Sequence, residues 1–405
     1  MSIRPNLDVR NRALCFAAAM VEGFDLQALG VAAPSMAAAF GFSPAQMGMV
    51  FSSSLVGLLI GAMTGGWLAD RYGRKWVLLS SMLLFGLFTF GTAAAFDFTS
   101  MLAVRIAAGL GLGGAMPTLI ALAAESVSEQ RRATAVSMMY AGVPIGAAIA
   151  GVVVMQAPAE WRMVFYIGGL MPVVIAVLMV RGLHEAAHVA RQQAKTAGFW
   201  FSLFGEKRTI PTILLWGALF FTVMVLYLII NWLPLLMVGI GFDKANAAGL
   251  LVLFSIGGGI GSWWIGPVMD RGYRNSALML TYLILALAIG ALALVGHLQI
   301  VAAMASFLVG TFILAAQVGL YGLMPDIYPV TVRGTGSGMA VAMGRLGSIA
   351  GPLMAGQILT AGHDSRMVLL AIEPVIFISG VAALLLLRHQ RLDAAQTLFP
   401  AGLSD

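Results

Sequence analysis

Residues 66–75 read GWLADRYGRK, and 200 residues later positions 266–275 read GPVMDRGYRN. The two stretches share Gly, Asp, Arg and Arg in one register, and each follows a long apolar run. A second match, at a spacing of 201 residues, links positions 132–146 to positions 333–347 through Arg, Thr, Met and Gly. These matches indicate two homologous halves, which is the organisation of a duplicated membrane bundle.

The composition of the chain is that of a membrane protein. Of the 405 residues, 60% are hydrophobic and only 10% are charged, whereas about a quarter of a soluble domain is charged. A helix needs roughly 20 apolar residues to cross the hydrocarbon core, and the runs lack the period-2 alternation of a barrel. We predict an all-α membrane protein with twelve transmembrane helices in two pseudo-symmetric six-helix bundles. The predicted spans are 13–40, 46–69, 76–96, 99–122, 133–157, 161–180, 210–238, 245–268, 276–296, 299–324, 335–359 and 367–387.

The basic residues predict the orientation of the chain. With the N-terminus placed inside, most of the 23 lysines and arginines fall in the two tails and in the inner connections. This is the bias of cytoplasmic loops, and it explains the net charge of +6 without a nucleic-acid partner. We expect a bacterial inner-membrane protein with both termini in the cytoplasm. Its bundles would be residues 1–180 and 209–405, joined by a cytoplasmic loop at 181–208.

Four of the charged side chains inside the predicted spans stand out, because each costs at least ~2.5–3.5 kcal/mol and lies well away from the span ends. Glu22 and Asp25 lie three residues apart on one face of the first helix, Arg105 lies in the fourth, and Arg345 in the eleventh. Repulsion and desolvation of the two carboxylates suit groups that take up and release a proton. A buried arginine offers a planar fork to a substrate carboxylate. The alternative is a structural ion pair between Arg105 and one of the two acids, which leaves the other acid unmatched.

Several uncharged polar and aromatic side chains in the spans are candidates for lining a hydrated cavity. Each of them also fits a hydrogen bond that packs two helices together, and both interpretations stay open. The aromatic members offer faces on which a substrate ring can stack. The candidates are Gln27, Tyr140, Tyr227, Asn231, Trp232, Gln317 and Tyr321.

One short motif points to a different class of protein. His184, Glu185 and His188 match the HExxH signature of zinc hydrolases, which would make the chain an intramembrane protease. A catalytic zinc needs a third protein ligand, and His297 and His363 fall on the opposite side of the membrane. The single cysteine also excludes a multi-cysteine metal site. We therefore expect no metal, no cofactor and no enzymatic activity.

The stretch 66–75 closely resembles the signature loop between the second and third spans of the major facilitator superfamily. Arg105, with the glycines at 109 and 111, resembles the fourth-helix motif of that superfamily. Residues 22–25, read EGFD, resemble the acidic first-helix motif of the aromatic acid:proton symporter family. Glu22 stands where many members carry Asp. Residues 325–336 resemble the loop between the tenth and eleventh spans, with Asp326 in place of the usual Glu. The resemblance covers nearly the whole chain.

The resemblance implies proton-driven import of a small aromatic carboxylate, a hydroxylated phenylpropionate or benzoate, by a monomer in the lipid bilayer. Glu22 and Asp25 would couple the proton, while Arg105 and Arg345 would hold the substrate carboxylate. The alternatives are a symporter of a non-aromatic organic acid and an efflux system that moves proton and substrate in opposite directions. Gating at the cytoplasmic end is expected of Asp70, Arg71, Arg74, Lys75, Asp270, Arg271 and Arg333.

Overall fold

The computed structural model describes residues 5–125, 138–156, 160–182, 199–205, 208–295, 298–329 and 332–398. Within these ranges the regular structure is helical, with twelve long and two short helices. The long helices are α1 (Pro5–Phe40), α2 (Pro44–Tyr72), α3 (Arg74–Ala93), α4 (Phe98–Glu125), α5 (Gly142–Gln156), α6 (Arg162–Gly182), α8 (Thr209–Ile240), α9 (Lys244–Val268), α10 (Arg274–Leu294), α11 (Gln299–Ile327), α12 (Arg333–Thr360) and α14 (Glu373–Leu398). The short helices are α7 (Phe199–Phe204) and α13 (Ser365–Ala371).

The twelve long helices coincide with the twelve predicted spans. Among the described residues, ten stretches are long and apolar enough to cross a membrane. One of them, Lys244–Leu294, contains both α9 and α10, and α12 completes the twelve. The last span differs from the prediction because it is interrupted at Ile372, where Pro374 follows and cannot continue a preceding helix. Part of the predicted connecting loop is also helical, as α7.

Each copy of the repeated stretch reverses the chain at a glycine with positive φ, although the two glycines are one register position apart and differ in ψ, at 140° for Gly73 and 0° for Gly272. Gly73 separates α2 from α3 with φ +91°, and Gly272 lies between α9 and α10 with φ +92°. These are left-handed backbone conformations, which glycine adopts without a steric penalty. Around Gly272 the turn is a short π-helical segment, Met269–Tyr273. The repeat seen in the sequence therefore encodes a repeated reversal of the chain.

Helix packing is also repeated between the halves. In the first half, α1 packs against α5 and α6, α2 packs against α4, and α3 packs against α4 and α6. In the second half, α8 packs against α12 and α14, α9 against α11, and α10 against α11 and α14. Each pair in the first half has its counterpart in the second, so the two six-helix bundles are pseudo-symmetric.

Three helix pairs make most of the contacts between the two bundles. The pair α1 and α8 lies at the centre, and it is flanked by α2 with α12 and by α5 with α9. This arrangement follows the same pseudo-symmetry, because α2 corresponds to α9 and α12 to α5. A site at the middle of this interface is therefore built from both halves of the chain.

The described contacts between the bundles concentrate at the end that carries the 41–43 and 241–243 connections. There, a Cβ atom placed on Gly48 of α2 would lie 2.8 Å from the carbonyl oxygen of Pro352 in α12. A Cβ atom on Gly151 of α5 would lie 2.3 Å from a side-chain carbon of α9. At the other end of the α2–α12 pair, Met63 is 74% exposed. A Cβ atom on Gly338 would meet no described atom within 4 Å. Among the described side chains, the bundles meet closely at the first of these ends and lie apart at the end with the repeated turns.

Glycines at helix contacts carry a specific prediction for stability. A Cβ atom on Gly146 of α5 would lie 1.7 Å from the carbonyl oxygen of Met20 in α1. Gly146→Ala should therefore lower the free energy of unfolding by about 1–3 kcal/mol through overpacking. Gly217→Ala is the matched control, because its Cβ atom would meet no described atom within 4 Å. Thermal unfolding of the detergent-purified variants tests this, and equal melting temperatures would contradict it.

Candidate functional site

Arg105 and Asp25 form an ion pair inside the first bundle. Both side chains are buried, at 1% and 2% exposure. The two terminal nitrogens of Arg105 donate to the two carboxylate oxygens of Asp25 at 3.1 and 3.0 Å. Arg105 Nε donates to Ser54 Oγ at 2.8 Å, and Thr89 Oγ1 donates to Asp25 Oδ1 at 3.2 Å. The pair and its hydrogen bonds therefore join α1, α2, α3 and α4. It is the structural ion pair that the sequence left open as an alternative, and Asp25 is the acid that forms it.

This geometry engages every nitrogen of the guanidinium group in at least one hydrogen bond. Each of its three nitrogens already donates to a protein oxygen, and its carbon lies 6.0 Å from the ring centre of Phe165. A buried pair gains stability only when its hydrogen bonds are satisfied in this way. In the observed conformation, Arg105 is a structural partner of Asp25, and its predicted contact with a substrate stays a prediction.

Glu22 lies about one helical turn before Asp25 but has a different environment. Its side chain is also buried, at 3% exposure, yet its Oε2 atom has no hydrogen-bond partner among the described residues. The charged group that acts on it most strongly is Arg345 of α12, across the interface, followed by Asp25. A buried carboxylate without a donor is costly unless it is protonated or close to a cation. Glu22 is thus the acid that the first bundle leaves unmatched.

Arg345 is surrounded by hydroxyl groups that come from both bundles. One terminal nitrogen donates to Tyr227 Oη of α8 at 3.0 Å. Tyr321, Glu22 and Tyr140 also lie within electrostatic range of the guanidinium group. Arg345 forms no salt bridge with any acid in the part of the chain that the structure describes. The second bundle therefore presents a cation without a bonded carboxylate at the centre of the interface.

We call six of these residues the central cluster: Glu22, Tyr140, Tyr227, Gln317, Tyr321 and Arg345. Gln317 Nε2 donates to Tyr321 Oη one turn along α11, at 3.1 Å, which orients that phenol. Tyr140, just before α5, is 40% exposed, so the cluster borders accessible space. A guanidinium group beside several hydroxyl donors is suited to a carboxylate ligand. All six members are residues that the sequence singles out.

Three other predicted site residues are engaged in helix packing. Gln27 Nε2 donates to Ser255 Oγ of α9 at 2.9 Å, across the interface between the bundles. Asn231 Nδ2 donates to a carbonyl one turn earlier in its own helix at 2.7 Å. Trp232 is fully buried, and its Nε1 donates to the carbonyl of Pro352 at 3.1 Å. The hydrogen bonds of Gln27 and Trp232 join two helices, whereas that of Asn231 stays within α8. The predicted contact of all three with a substrate stays a prediction.

Six of the seven predicted gating residues belong to the two repeated turns, and the seventh, Arg333, begins α12. Lys75 Nζ donates to the carbonyl of Val180 in α6 at 2.9 Å. The guanidinium carbon of Arg71 lies 5.6 Å from the ring centre of the neighbouring tyrosine. Asp270 and Arg271 are exposed. The side chains of Asp70, Arg74 and Arg333 are outside the described part of the structure.

One ion pair near this end was missed by the sequence-based assignment. Arg274 at the start of α10 donates to Asp326 near the end of α11 at 2.6 Å, and both side chains are partly exposed. The signal was present, because Arg274 belongs to the repeated stretch and Asp326 to the 325–336 motif. The zinc motif at 184–188 lies outside the described residues. Within the described ranges, the structure contains no group of three or more potential metal ligands.

Two six-helix bundles with a charged cluster at their interface define a membrane transporter. A family model described as the Major Facilitator Superfamily matches residues 15–352. The chain belongs to this superfamily and is a multi-pass membrane transporter rather than an enzyme.

Curated relatives within the superfamily are named for a narrower class of transported substrate. The chain is 42% identical to the 3-(3-hydroxy-phenyl)propionate transporter of Escherichia coli strain K12 over 381 residues, which cover 93% of each chain. It is 31% identical to the 4-hydroxybenzoate transporter PcaK of Pseudomonas aeruginosa, with 92% of this chain and 91% of the relative covered. It is 32% identical to the gallate transporter of Pseudomonas putida, with 94% and 92% covered. These names all describe carriers of aromatic acids.

Solved structures confirm the fold. A D-xylose-proton symporter superposes with a TM-score of 0.76 at 16% sequence identity, covering 94% of this chain and 97% of that one. A bacterial homologue of the human lysosomal transporter Spinster, in an inward-facing and unoccupied conformation, also gives 0.76, at 17% identity. It covers 97% of this chain and 99% of that one. The fold is therefore the major facilitator fold.

The buried ion pair gives a test by charge removal. Asp25→Asn leaves the Arg105 guanidinium without its counter-charge, which should lower the free energy of unfolding by about 3–5 kcal/mol. Adding Arg105→Gln removes the second charge and should recover at least half of that loss. The measurement is thermal unfolding of the purified variants.

The control for this experiment is Glu22→Gln, which makes the same acid-to-amide change one turn away. Because no described donor bonds Glu22 Oε2, and Glu22 forms no salt bridge with a described cation, this variant should lose less stability than Asp25→Asn. A double variant no more stable than Asp25→Asn alone would contradict the structural role of the pair.

Proposed function

We propose that this transporter imports a small aromatic carboxylate together with a proton, and that its substrate is 3-(3-hydroxyphenyl)propionate or a related hydroxylated aromatic acid. The observation that carries the proposal is Arg345, a cation at the interface of the bundles. Phenolic hydroxyls lie around it, and no acid of the described ranges forms a salt bridge with it. The relatives named for aromatic acids support the substrate class.

Arg345 is the proposed anchor for the substrate carboxylate. Its guanidinium fork matches the two oxygens of a carboxylate, and the cluster sits in a low-dielectric interior where such a pair is strong. Tyr227 accepts a hydrogen bond from Arg345, so its own hydroxyl hydrogen points away from the guanidinium group and is available to the ligand. The tyrosines thus contribute hydroxyl groups to the carboxylate as well as faces for the ring.

Glu22 is the proposed carrier of the coupled proton. It lies beside Arg345 and lacks a hydrogen-bond partner at Oε2, whereas Asp25 is held by both terminal nitrogens of Arg105. The geometry supports Glu22 over Asp25 as the group that binds and releases a proton. It likewise supports Arg345 over Arg105 as the group that binds substrate.

Alternating access completes the proposed mechanism. The bundles 1–180 and 209–405, linked at 181–208, would rock about the central cluster. We place the protein in a bacterial inner membrane with both termini in the cytoplasm, in line with the distribution of basic residues. The closed end of the interface is then the outer end, and the observed state is open to the cytoplasm. The gating residues would meet in the opposite state. We propose a monomer that uses the proton gradient and no cofactor.

Uptake into cells tests the function directly. Cells that express the chain should accumulate labelled 3-(3-hydroxyphenyl)propionate, and a protonophore should abolish accumulation because it removes the driving force. The control is the same cells with Arg345→Gln, which lacks the carboxylate anchor. Uptake that persists with the protonophore would contradict the proposal that transport is coupled to protons. An absence of uptake across a panel of aromatic acids would favour a non-aromatic acid or an efflux substrate.

The hydroxyl of Tyr227 provides a test of carboxylate binding. Tyr227→Phe removes one hydrogen bond to a charged group, worth about 1.5–3 kcal/mol, so the half-saturating substrate concentration should rise about tenfold or more. Tyr282→Phe is the matched control. Its hydroxyl lies 2.8 Å from Thr222 and 3.1 Å from Ser379 in a buried cluster of the second bundle. That variant should lose stability and keep its affinity, and the reverse pattern would contradict the assignment.

A further inference from the structure

The four charged residues that stand out inside the membrane form two pairs, of which one is hydrogen-bonded and the other is not. Asp25 and Arg105 belong to the same bundle and share two hydrogen bonds. Glu22 and Arg345 belong to opposite bundles and interact electrostatically without a salt bridge. When the bundles move against each other, the first pair travels as part of one rigid body. Only the second pair spans the surface along which the bundles move.

The surroundings of Glu22 limit what it can exchange with. Arg345 faces it from α12, Tyr140 faces it from the turn before α5, and Asp25 lies one turn along its own helix. Arg105 of the neighbouring α4 is already bound to Asp25. Among the described charged groups, Arg345 and Asp25 act most strongly on Glu22. The exchangeable charges of the interior are therefore one acid and one cation.

We propose that transport is electroneutral, with one proton on Glu22 crossing together with one monocarboxylate on Arg345. This proposal rests on the proposed function and adds its stoichiometry. In the loaded carrier, Glu22 is neutral and the substrate carboxylate balances Arg345. In the empty carrier, ionised Glu22 balances Arg345. The net charge of the central cluster is zero in both states, so neither direction of movement carries charge across the membrane.

The same balance accounts for obligatory coupling. A proton bound without substrate leaves Arg345 uncompensated, and a substrate bound without a proton places two carboxylates against one guanidinium group. Either half-loaded state puts a net charge into the low-dielectric interface, where a lone ion is costly. The half-loaded carrier therefore does not readily change from one conformation to the other, so the proton and the anion cross the membrane together.

Purified protein in liposomes separates the two driving forces. Initial uptake and accumulation of labelled 3-(3-hydroxyphenyl)propionate are measured under a pH gradient at zero membrane potential, and under a potassium diffusion potential at equal pH. One pH unit, alkaline inside, should give about tenfold accumulation, because one proton accompanies each anion. The potential alone should give none. A second proton would instead produce about tenfold accumulation for every 59 mV of inside-negative potential, and that result would overturn the proposal.

A pair of variants assigns the proton to Glu22. Glu22→Gln should retain substrate exchange between the two sides but lose accumulation driven by the pH gradient. Any net uptake that remains should be slowed by an inside-negative potential, because the anion then crosses without its proton. Glu373→Gln is the matched control, since that carboxylate lies beside Gly290 of α10, away from the interface of the bundles. It should behave as the parent chain.

The outcomes separate this proposal from the function on which it rests. Uptake that depends on the pH gradient and also on the potential would reject electroneutrality and keep the proposed function. Glu22→Gln protein that still accumulates substrate under a pH gradient would reject Glu22 as the proton site. The absence of uptake by the parent protein under any gradient would reject the proposed function, and the stoichiometry with it.

Discussion

An ionised side chain in a hydrocarbon interior is tolerated only beside an opposite charge, and the arrangement of the whole transporter follows from how this constraint is met. In the first bundle, Arg105 grips Asp25 with two hydrogen bonds and holds four helices together. This use of one arginine leaves Glu22 Oε2 without a hydrogen-bond partner among the described residues. The second bundle places Arg345 across the interface from Glu22. Because Arg345 forms no salt bridge with a described acid, its guanidinium group can bind a carboxylate ligand.

The two bundles share their helix packing but differ in the polar chemistry of their cores. Where the first bundle contains the ion pair, the second contains the neutral hydroxyl cluster of Thr222, Tyr282 and Ser379, which ties α8, α10 and α14 together. Neutral hydrogen bonds fix these helices without adding a second pair of buried charges. The duplicated scaffold thus keeps its symmetry while its electrostatics diverge, and Arg345 remains the charge of the second core that faces the first.

The sequence predicted the fold well because apolar length and the repeated stretch act at the level of single helices. It also identified the central cluster, since buried charges are costly and therefore conspicuous. It could not assign partners: Glu22 and Asp25 share a face by spacing, and only the packing of α4 and α12 decides which arginine meets which acid. Gln27 and Trp232 illustrate the remaining ambiguity, because a polar group that packs helices and one that binds a ligand look alike in a single sequence.

The ion pair in the first bundle also determines where the neighbouring acid is aimed. Each residue of an α-helix advances the side-chain direction by about 100°, so Glu22 and Asp25 point roughly 60° apart around the axis of α1. The two hydrogen bonds from Arg105 to Asp25 fix the rotation of α1 about its own axis. They thereby also fix the direction in which Glu22 points relative to Arg345. The Arg105–Asp25 pair thereby orients the acid of the proposed transport site without belonging to the central cluster.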